Sequence, residues 1–169
     1  MKVVETDRLL LRWLGAGDAA FILQLLNEPS WIKYIGDKGV KTLEDAEKYI
    51  RSGPREMYEE RGHGLYLVET KERGEPIGIC GLIKREALDD VDLGFAFLPE
   101  YWGQRYAFES ASAAISHGKN ALGLTRIVAI TSQDNRRSIG LLVKLGFRFE
   151  RRLRLGAEAP ELELYAATP

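Results

Sequence analysis

The sequence contains few of the residues that build disulfides and metal sites. It has one cysteine, Cys80, and two histidines, His63 and His117, that lie far apart in the chain. One cysteine cannot form an internal disulfide, and one thiol with two isolated histidines is a poor basis for a metal site. We therefore expect no bound metal and a reducing compartment, the cytoplasm.

Long apolar runs and an excess of one charge are also missing. Charged residues interrupt the N-terminal stretch MKVVETDRLLLRWL, so it does not read as a secretory signal. No apolar run approaches the roughly 20 residues that cross a bilayer. The 24 Lys and Arg against 25 Asp and Glu create no field that attracts nucleic acid or an anionic membrane. We expect neither kind of partner, and any anion site must be local.

The remaining composition is typical of a folded domain. Hydrophobic residues make up 45% of the chain and charged residues 29%, which are ordinary values for a globular protein. A length of 169 residues suffices for one substantial core and is short for two. No repeat or low-complexity linker divides the chain, so we expect a single domain over residues 1–169.

The first part of the chain predicts a strand, two helices and then a strand meander. RLLLRWL reads as a strand, and the two amphipathic helices follow it. Thr42 and Asp45 form a capping-box pattern at the start of the second helix, which we expect to be interrupted near Pro54. Three apolar runs then predict successive strands: GLYLVET, EPIGICGLI and DVDLGFAFL.

The second part alternates between helices and strands. A long helix is predicted from Gly103 to about Leu122, followed by the buried strand TRIVAIT, a helix over 138–144 and a closing strand pair. This order favours an α/β (α+β) fold with a mixed sheet of about seven strands and helices on both faces.

The stretch PEYWGQRYAFESA, residues 99–111, joins a predicted strand to the long helix. A helix N-terminus presents unpaired N–H groups and the positive end of the helix dipole, so this context suits a phosphate. On loop composition alone, an ordinary strand-to-helix turn is the alternative.

Three motifs in order carry a family resemblance: DLGFAFLPEYWGQRYAFESA, RIVAITSQDN and NRRSIGLLVKLGFRFE. They resemble the GNAT superfamily of acyl-CoA-dependent N-acetyltransferases, and within it the branch that acetylates N-terminal alanine or serine of ribosomal proteins. TDRLLLRWL and EPIGICGL look like further strands of that family. The resemblance implies the GNAT fold with a mostly antiparallel sheet, acetyl-CoA as co-substrate, and a primary amine acceptor, with a protein or peptide N-terminus favoured.

The same resemblance implies a cofactor loop whose backbone N–H groups bind the pyrophosphate of coenzyme A. The implied residues are Trp102, Gly103, Gln104, Arg105, Tyr106 and Ala107. Arg105 stands where the family usually has glycine. With a negative φ, an arginine there costs little strain and its guanidinium can reach a phosphate, whereas a side chain pointed at the pyrophosphate would crowd the site. Our hypothesis is the tolerated form, with weakened or altered cofactor affinity.

Catalytic candidates follow from the needs of acetyl transfer, which are a base, a proton donor and a backbone donor to the carbonyl. By resemblance, Asp92 lies where many family members carry a glutamate that acts as the general base. The alternative is that Asp92 faces solvent. Leu142 replaces the family's tyrosine acid, so the candidate proton donor is Ser138, which occupies the position of the donor proposed for the N-terminal acetyltransferase branch. Its alternative role is a polar residue in the first helical turn. Phe97 and Leu98 are expected to contribute backbone groups only.

Three further residues complete the predicted site. By resemblance, Asn135 contacts the pantetheine arm, and its alternative role is a helix N-cap. Trp31 and Tyr34 fall where the family places its acceptor wall, and the alternative for both is packing under a loop. Two other functions stay open: acetylation of a small-molecule amine, and an acyl-CoA-binding module with little or no transferase activity. A nucleotide-binding protein is set aside because no GxxxxGK[ST] stretch exists. Both a monomer and a homodimer are compatible with the sequence.

Overall fold

One eight-stranded sheet runs through the molecule, and the computed structural model describes residues 1–169. The strands are β1 (Lys2–Glu5), β2 (Leu9–Arg12), β3 (Leu65–Thr70), β4 (Pro76–Ile83), β5 (Asp92–Phe97), β6 (Ile127–Ser132), β7 (Arg148–Leu153) and β8 (Leu162–Ala167). Their spatial order is β1-β2-β3-β4-β5-β6-β8-β7, and only β5 and β6 run parallel. The predicted mixed, mostly antiparallel sheet is confirmed. The extra strand is β1, whose four half-exposed residues are too few to show a periodic pattern.

Six α-helices accompany the sheet: α1 (Ala19–Leu26), α2 (Pro29–Tyr34), α3 (Leu43–Ile50), α4 (Glu56–Arg61), α5 (Tyr106–Leu122) and α6 (Arg136–Lys144). The capping box predicted for α3 is present. The Thr42 hydroxyl accepts the Asp45 N–H at 3.0 Å, and the Asp45 carboxylate accepts the Thr42 N–H at 3.0 Å. A π-helical turn at Arg51–Arg55 contains Pro54, where the interruption was expected. None of the helices is long and apolar enough to cross a membrane.

Helices cover both faces of the sheet. Along β3, Tyr66 and Val68 belong to one core cluster and Leu67 to another, because successive side chains of a strand point to opposite faces. The first cluster contains Ala111 and Ala114 of α5. The second contains the buried residues of α1 and α3. The long helix therefore lies on one face, and α1 and α3 lie on the other.

The sheet opens between β5 and β6. Asp92 and Val128 are the one registered residue pair of these two strands, and the Val128 N–H donates to the Val91 carbonyl at 3.0 Å. Beyond this pair β5 continues to Phe97 in register with β4 alone. The backbone of β5 that faces β6 is therefore left without a partner strand over most of its length.

Candidate active site

A cleft of about 1100 Å³ occupies the region where the sheet opens. Residues drawn from 102–108 and 135–144 line what we call the α5 half, and residues drawn from 28–38 and 49–57, with Arg85, line what we call the α2 half. Leu142 of the α5 half packs in the same core cluster as α5, and Trp31 of the α2 half packs with α1. The two halves therefore belong to opposite faces of the sheet, and β5 lies between them.

The cleft brings most of the predicted site residues together. The predicted residues that line it are Trp31, Tyr34, Asp92, Phe97, Trp102, Gly103, Arg105, Tyr106, Ala107, Asn135 and Ser138. Gln104 and Leu98 do not line it. The Gln104 amide instead donates to the Glu100 carbonyl at 3.2 Å.

The loop before α5 is rich in free backbone donors. The first bond of α5 is donated by the Glu109 N–H to the Arg105 carbonyl at 3.0 Å, and no side chain caps the helix. The six N–H groups from Gly103 to Phe108 consequently donate to no protein atom. With the helix dipole, they form an anion-binding surface at the mouth of the cleft.

Arg105 adopts a backbone conformation that the sequence did not reveal. Its φ is 65° and its ψ is 15°, and it is the one non-glycine residue with positive φ. The premise of a negative φ is therefore wrong. This left-handed region costs a side-chain-bearing residue about 1 kcal/mol or more and costs glycine almost nothing. Because Arg105 has left-handed dihedrals, α5 begins at Tyr106 rather than at the predicted Gly103.

Interactions from outside hold the loop in this conformation. The Trp102 indole N–H donates to the Phe97 carbonyl at 2.9 Å, and the Arg137 guanidinium lies 4.3 Å from the centre of the Trp102 ring. A terminal nitrogen of Arg8 donates to the Gln104 carbonyl at 3.1 Å. The free N–H groups are thus presented by a loop tied to β5, α6 and the N-terminal region.

Asn135 and Ser138 meet at the start of α6. The Asn135 Oδ1 accepts the Ser138 N–H at 3.2 Å, so Asn135 is the N-cap of the helix. This bond leaves the Asn135 amide NH₂ and the Ser138 hydroxyl without protein partners. Leu142, one turn further along, is buried in the core. The uncharged polar groups that α6 offers to the cleft therefore lie at its start.

Asp92 is the most buried ionisable group in the cleft. It begins β5, and only 1% of its surface is exposed, so the alternative in which it faces solvent is wrong. The Arg85 Nε donates to Oδ2 at 3.2 Å, whereas Oδ1 is buried without a hydrogen-bond partner. Burial raises the pKa of Asp92 to about 6, even though the charge of Arg85 acts to lower it.

The hydrogen-bonding pattern of β5 corrects one predicted backbone role. The Leu98 N–H donates to the Ile77 carbonyl of β4 at 3.0 Å, so it has no donor left for a ligand. Hydrogen bonding alternates along an antiparallel ladder, so Phe95 and Phe97 direct their N–H groups away from β4. These two groups face the opening between β5 and β6.

Trp31 and Tyr34 of α2 both lie in the wall of the cleft. Trp31 is 5% exposed and packs in the core, yet its indole N–H is buried without an acceptor. Tyr34 is half-buried, and the Lys33 ammonium lies 4.7 Å from the centre of its ring. Trp31 therefore combines core packing with a place in the cleft.

Two cations of the α2 half were not predicted. Lys38, on the loop after α2, has no carboxylate within ion-pair distance, and crowding by the protein and the charge of Arg85 lower its pKa. Arg85 lies on the loop after β4. Both residues stand in short charged stretches, DKG and KRE, which carry no sequence signal that separates them from ordinary solvated loops.

Cys80 lies away from this chemistry. It is fully buried on β4, and burial raises the pKa of its thiol to about 12. A thiol of this kind stays protonated near neutral pH and is inert as a nucleophile. No group of three or more His, Cys, Asp or Glu side chains is arranged to hold a metal ion.

A family model described as an acetyltransferase (GNAT) domain matches residues 8–148. The chain belongs to the GNAT acetyltransferase family. Its enzyme class, an N-acetyltransferase, follows from that membership. The resemblance carried by the three sequence motifs is thereby confirmed.

Individual relatives place the enzyme among bacterial GNAT proteins. The N-acetyltransferase YoaA of Bacillus subtilis (strain 168), whose name records it as uncharacterized, is 34% identical over 154 residues, which cover 90% of this chain and 86% of YoaA. The spermidine N(1)-acetyltransferase of Escherichia coli (strain K12) is 25% identical over 141 residues, which cover 83% of this chain and 73% of that enzyme. The solved structure of RimL, a ribosomal L7/L12 α-N-protein acetyltransferase in complex with coenzyme A, has a TM-score of 0.84 at 18% identity and covers 99% of this chain and 98% of its own. The last comparison shows a shared fold.

Proposed function

We propose that this GNAT enzyme uses acetyl-CoA to acetylate a primary amine directly, and that the amine is the N-terminal α-amine of a protein or peptide. The observation that carries the proposal is the burial of the Asp92 carboxylate in the cleft. This carboxylate lies where the two halves of the cleft meet, and its pKa is about 6. Such a group is ionised at neutral pH and is still basic enough to take a proton from an amine.

The α5 half fits the phosphates of acetyl-CoA. Its loop offers six free N–H groups from Gly103 to Phe108, and a Cβ built at Gly103 meets no atom within 4 Å, so the backbone there is open to a ligand. Arg105, Arg136 and Arg137 line the same half and supply charge opposite to that of phosphates. When bound there, acetyl-CoA supplies the acetyl group.

The residues around β5 supply the general base, the donors to the carbonyl oxygen and the proton donor. Asp92 accepts the amine proton at Oδ1, which has no protein partner, while Arg85 holds Oδ2. The N–H groups of Phe95 and Phe97 are available to a carbonyl oxygen in the opening between β5 and β6. The Ser138 hydroxyl is the candidate proton donor to the leaving sulfur, and Asn135 offers its amide NH₂ to an amide ligand beside it.

The α2 half favours a peptide acceptor over a polyamine. Ile35, at the C-terminal end of α2, lines the cleft and is 46% exposed, so its apolar side chain can pack against a peptide. The cations Lys38 and Arg85 in the cleft wall repel a multiply charged amine such as spermidine. The RimL structure shares the fold and is that of a protein α-amine acetyltransferase.

Acetylation of defined peptides, followed by mass spectrometry, tests the proposal. Peptides with a free α-amine should gain one acetyl group, and peptides with a blocked N-terminus and an internal lysine should not. Asp92→Asn should abolish most of this activity. Asp90→Asn is the matched control, because Asp90 pairs with Arg126 at 2.9 Å outside the cleft. Turnover of spermidine without any α-amine substrate contradicts the acceptor, and acetyl-CoA binding without turnover of any amine indicates a binding module.

A further inference from the structure

The α2 half of the cleft contains cationic and hydroxyl donors that have no acceptor in the protein. Arg85 uses only its Nε, in the bond to Asp92, so both terminal guanidinium nitrogens are free. The ammonium of Lys38 forms no ion pair and no hydrogen bond, and the hydroxyl of Tyr49 forms no hydrogen bond either. All three side chains line the cleft.

The three side chains lie in the same half of the cleft, and the positive charge of Arg85 acts on both Lys38 and Tyr49. Lys38 is exposed and Arg85 is half-buried, and two cations on one cleft wall repel each other. Glu28, the acidic residue besides Asp92 that lines the cleft, pairs with neither of them. A bound anion would relieve this repulsion and would satisfy the free donors.

The position of Arg85 limits where that anion can be. Its Nε contacts Asp92, the proposed base, at 3.2 Å. The amine that loses its proton must lie beside Asp92, so an anion on the other guanidinium nitrogens lies close to that amine. The planar fork of an arginine matches a carboxylate particularly well.

We propose that the acceptor carries a carboxylate a few bonds from its reacting amine, and that Arg85, Lys38 and Tyr49 bind this carboxylate. The inference rests on the proposed function, because it assigns the acceptor of the same site. The carboxylate can come from the side chain of an acidic residue at the start of a peptide or from the α-carboxylate of a free amino acid. In a free amino acid the carboxylate lies closer to the amine than it does in a Ser-Asp peptide, so the two sources present the same group at two different distances.

Matched acceptors that differ only in this charge provide the test. One pair is a C-terminally amidated peptide that begins Ser-Asp and its Ser-Asn counterpart, and the other pair is serine and serinamide. The value of kcat/KM is measured from CoA release with the wild-type enzyme. We expect the acid member of one pair to be preferred about tenfold or more, as for a charge-assisted hydrogen bond. The pair that shows the preference identifies the source of the carboxylate.

Lys38→Gln should reduce that preference to about threefold or less, because one of the two cations is lost and only Arg85 and the Tyr49 hydroxyl remain. Lys41→Gln is the matched control on the same loop. Lys41 pairs with Asp37 at 3.2 Å and donates to Asn27 at 3.0 Å, and it does not line the cleft. The control should keep the full preference. Equal kcat/KM values within both pairs, or a preference that Lys38→Gln leaves unchanged, would overturn the inference.

A binding measurement separates this inference from the proposed function. Calorimetric titration compares N-acetyl-Ser-Asp-amide with N-acetyl-Ser-Asn-amide, and N-acetylserine with N-acetylserinamide, and it needs no turnover. If no acceptor is acetylated and the acid product still binds more tightly, the proposed function fails and the carboxylate site stands. If turnover occurs without any preference for an acid in kinetics or binding, the function stands and this inference fails. If neither turnover nor a binding preference is found, both fail.

Discussion

Replacing Asp92 by asparagine should stabilise the protein while it removes activity. Burial raises the pKa of this carboxyl group from its ordinary value of 3.8 to about 6. Each pKa unit corresponds to about 1.4 kcal/mol, so a fully ionised Asp92 lowers the free energy of unfolding by about 3 kcal/mol relative to its neutral form. Asparagine has nearly the same shape and carries no charge, so it avoids this cost.

The sign of the effect follows from the direction of the pKa shift. Below about pH 3 Asp92 is neutral in both the folded and the unfolded protein, and the substitution changes little. As the pH rises, the unfolded chain ionises first, and the wild-type protein loses stability until the folded pKa of about 6 is passed. The advantage of Asp92→Asn should therefore grow with pH and level off above pH 7, and about half of the full difference should develop between pH 5 and pH 8.

Urea unfolding of both proteins at pH 5, 6, 7 and 8 measures this difference directly. Asp90→Asn controls for the loss of a neighbouring charge, because the Asp90 carboxylate is partly exposed and pairs with Arg126. In parallel, kcat/KM of Asp92→Asn should fall by about a hundredfold or more, as expected for a lost general base. A stability difference that stays constant from pH 5 to pH 8 would refute the raised pKa and with it the argument for Asp92 as base.

Three further predictions concern the residues around Asp92. Arg105→Gly should be about 1 kcal/mol more stable than Arg105→Ala in urea unfolding, because glycine adopts the observed φ of 65° without steric cost. Equal stabilities would contradict the assigned conformation. Calorimetry should show that both variants bind acetyl-CoA with changed affinity. Arg85→Gln removes the charge that lowers the pKa of Asp92, so the acidic limb of the pH profile of kcat/KM should move to higher pH, and a shift to lower pH would contradict the ion pair. Ser138→Ala should lower kcat by about a hundredfold without changing acetyl-CoA affinity, and unchanged turnover would remove Ser138 as proton donor.

The sequence predicted those features that depend on neighbouring residues in the chain. Apolar periodicity located the strands from β2 to β8, and the Thr42–Asp45 pattern located the start of α3. The strand-loop-helix order around Gly103 located the loop whose N–H groups are free, and three motifs in order identified the family. Such features are readable because local backbone preference and hydrophobic pattern act over a few residues.

Other features depend on contacts between distant segments, and only the tertiary structure decided them. Asp92 is buried because helices cover both faces of β5, and its pKa follows from that burial. The N–H of Leu98 is taken by Ile77 of the neighbouring strand, and the positive φ of Arg105 is held by a loop that residues far away in the chain tie down. Lys38 and Arg85 lie 47 positions apart and carry no motif, so only the folded chain places their side chains in the wall of one cleft. The sequence by itself therefore determined the family, most of the order of elements and the place of the loop before α5. The tertiary structure decided the burial of Asp92 and its ion pair with Arg85, because electrostatic energies depend on burial and distance rather than on sequence separation.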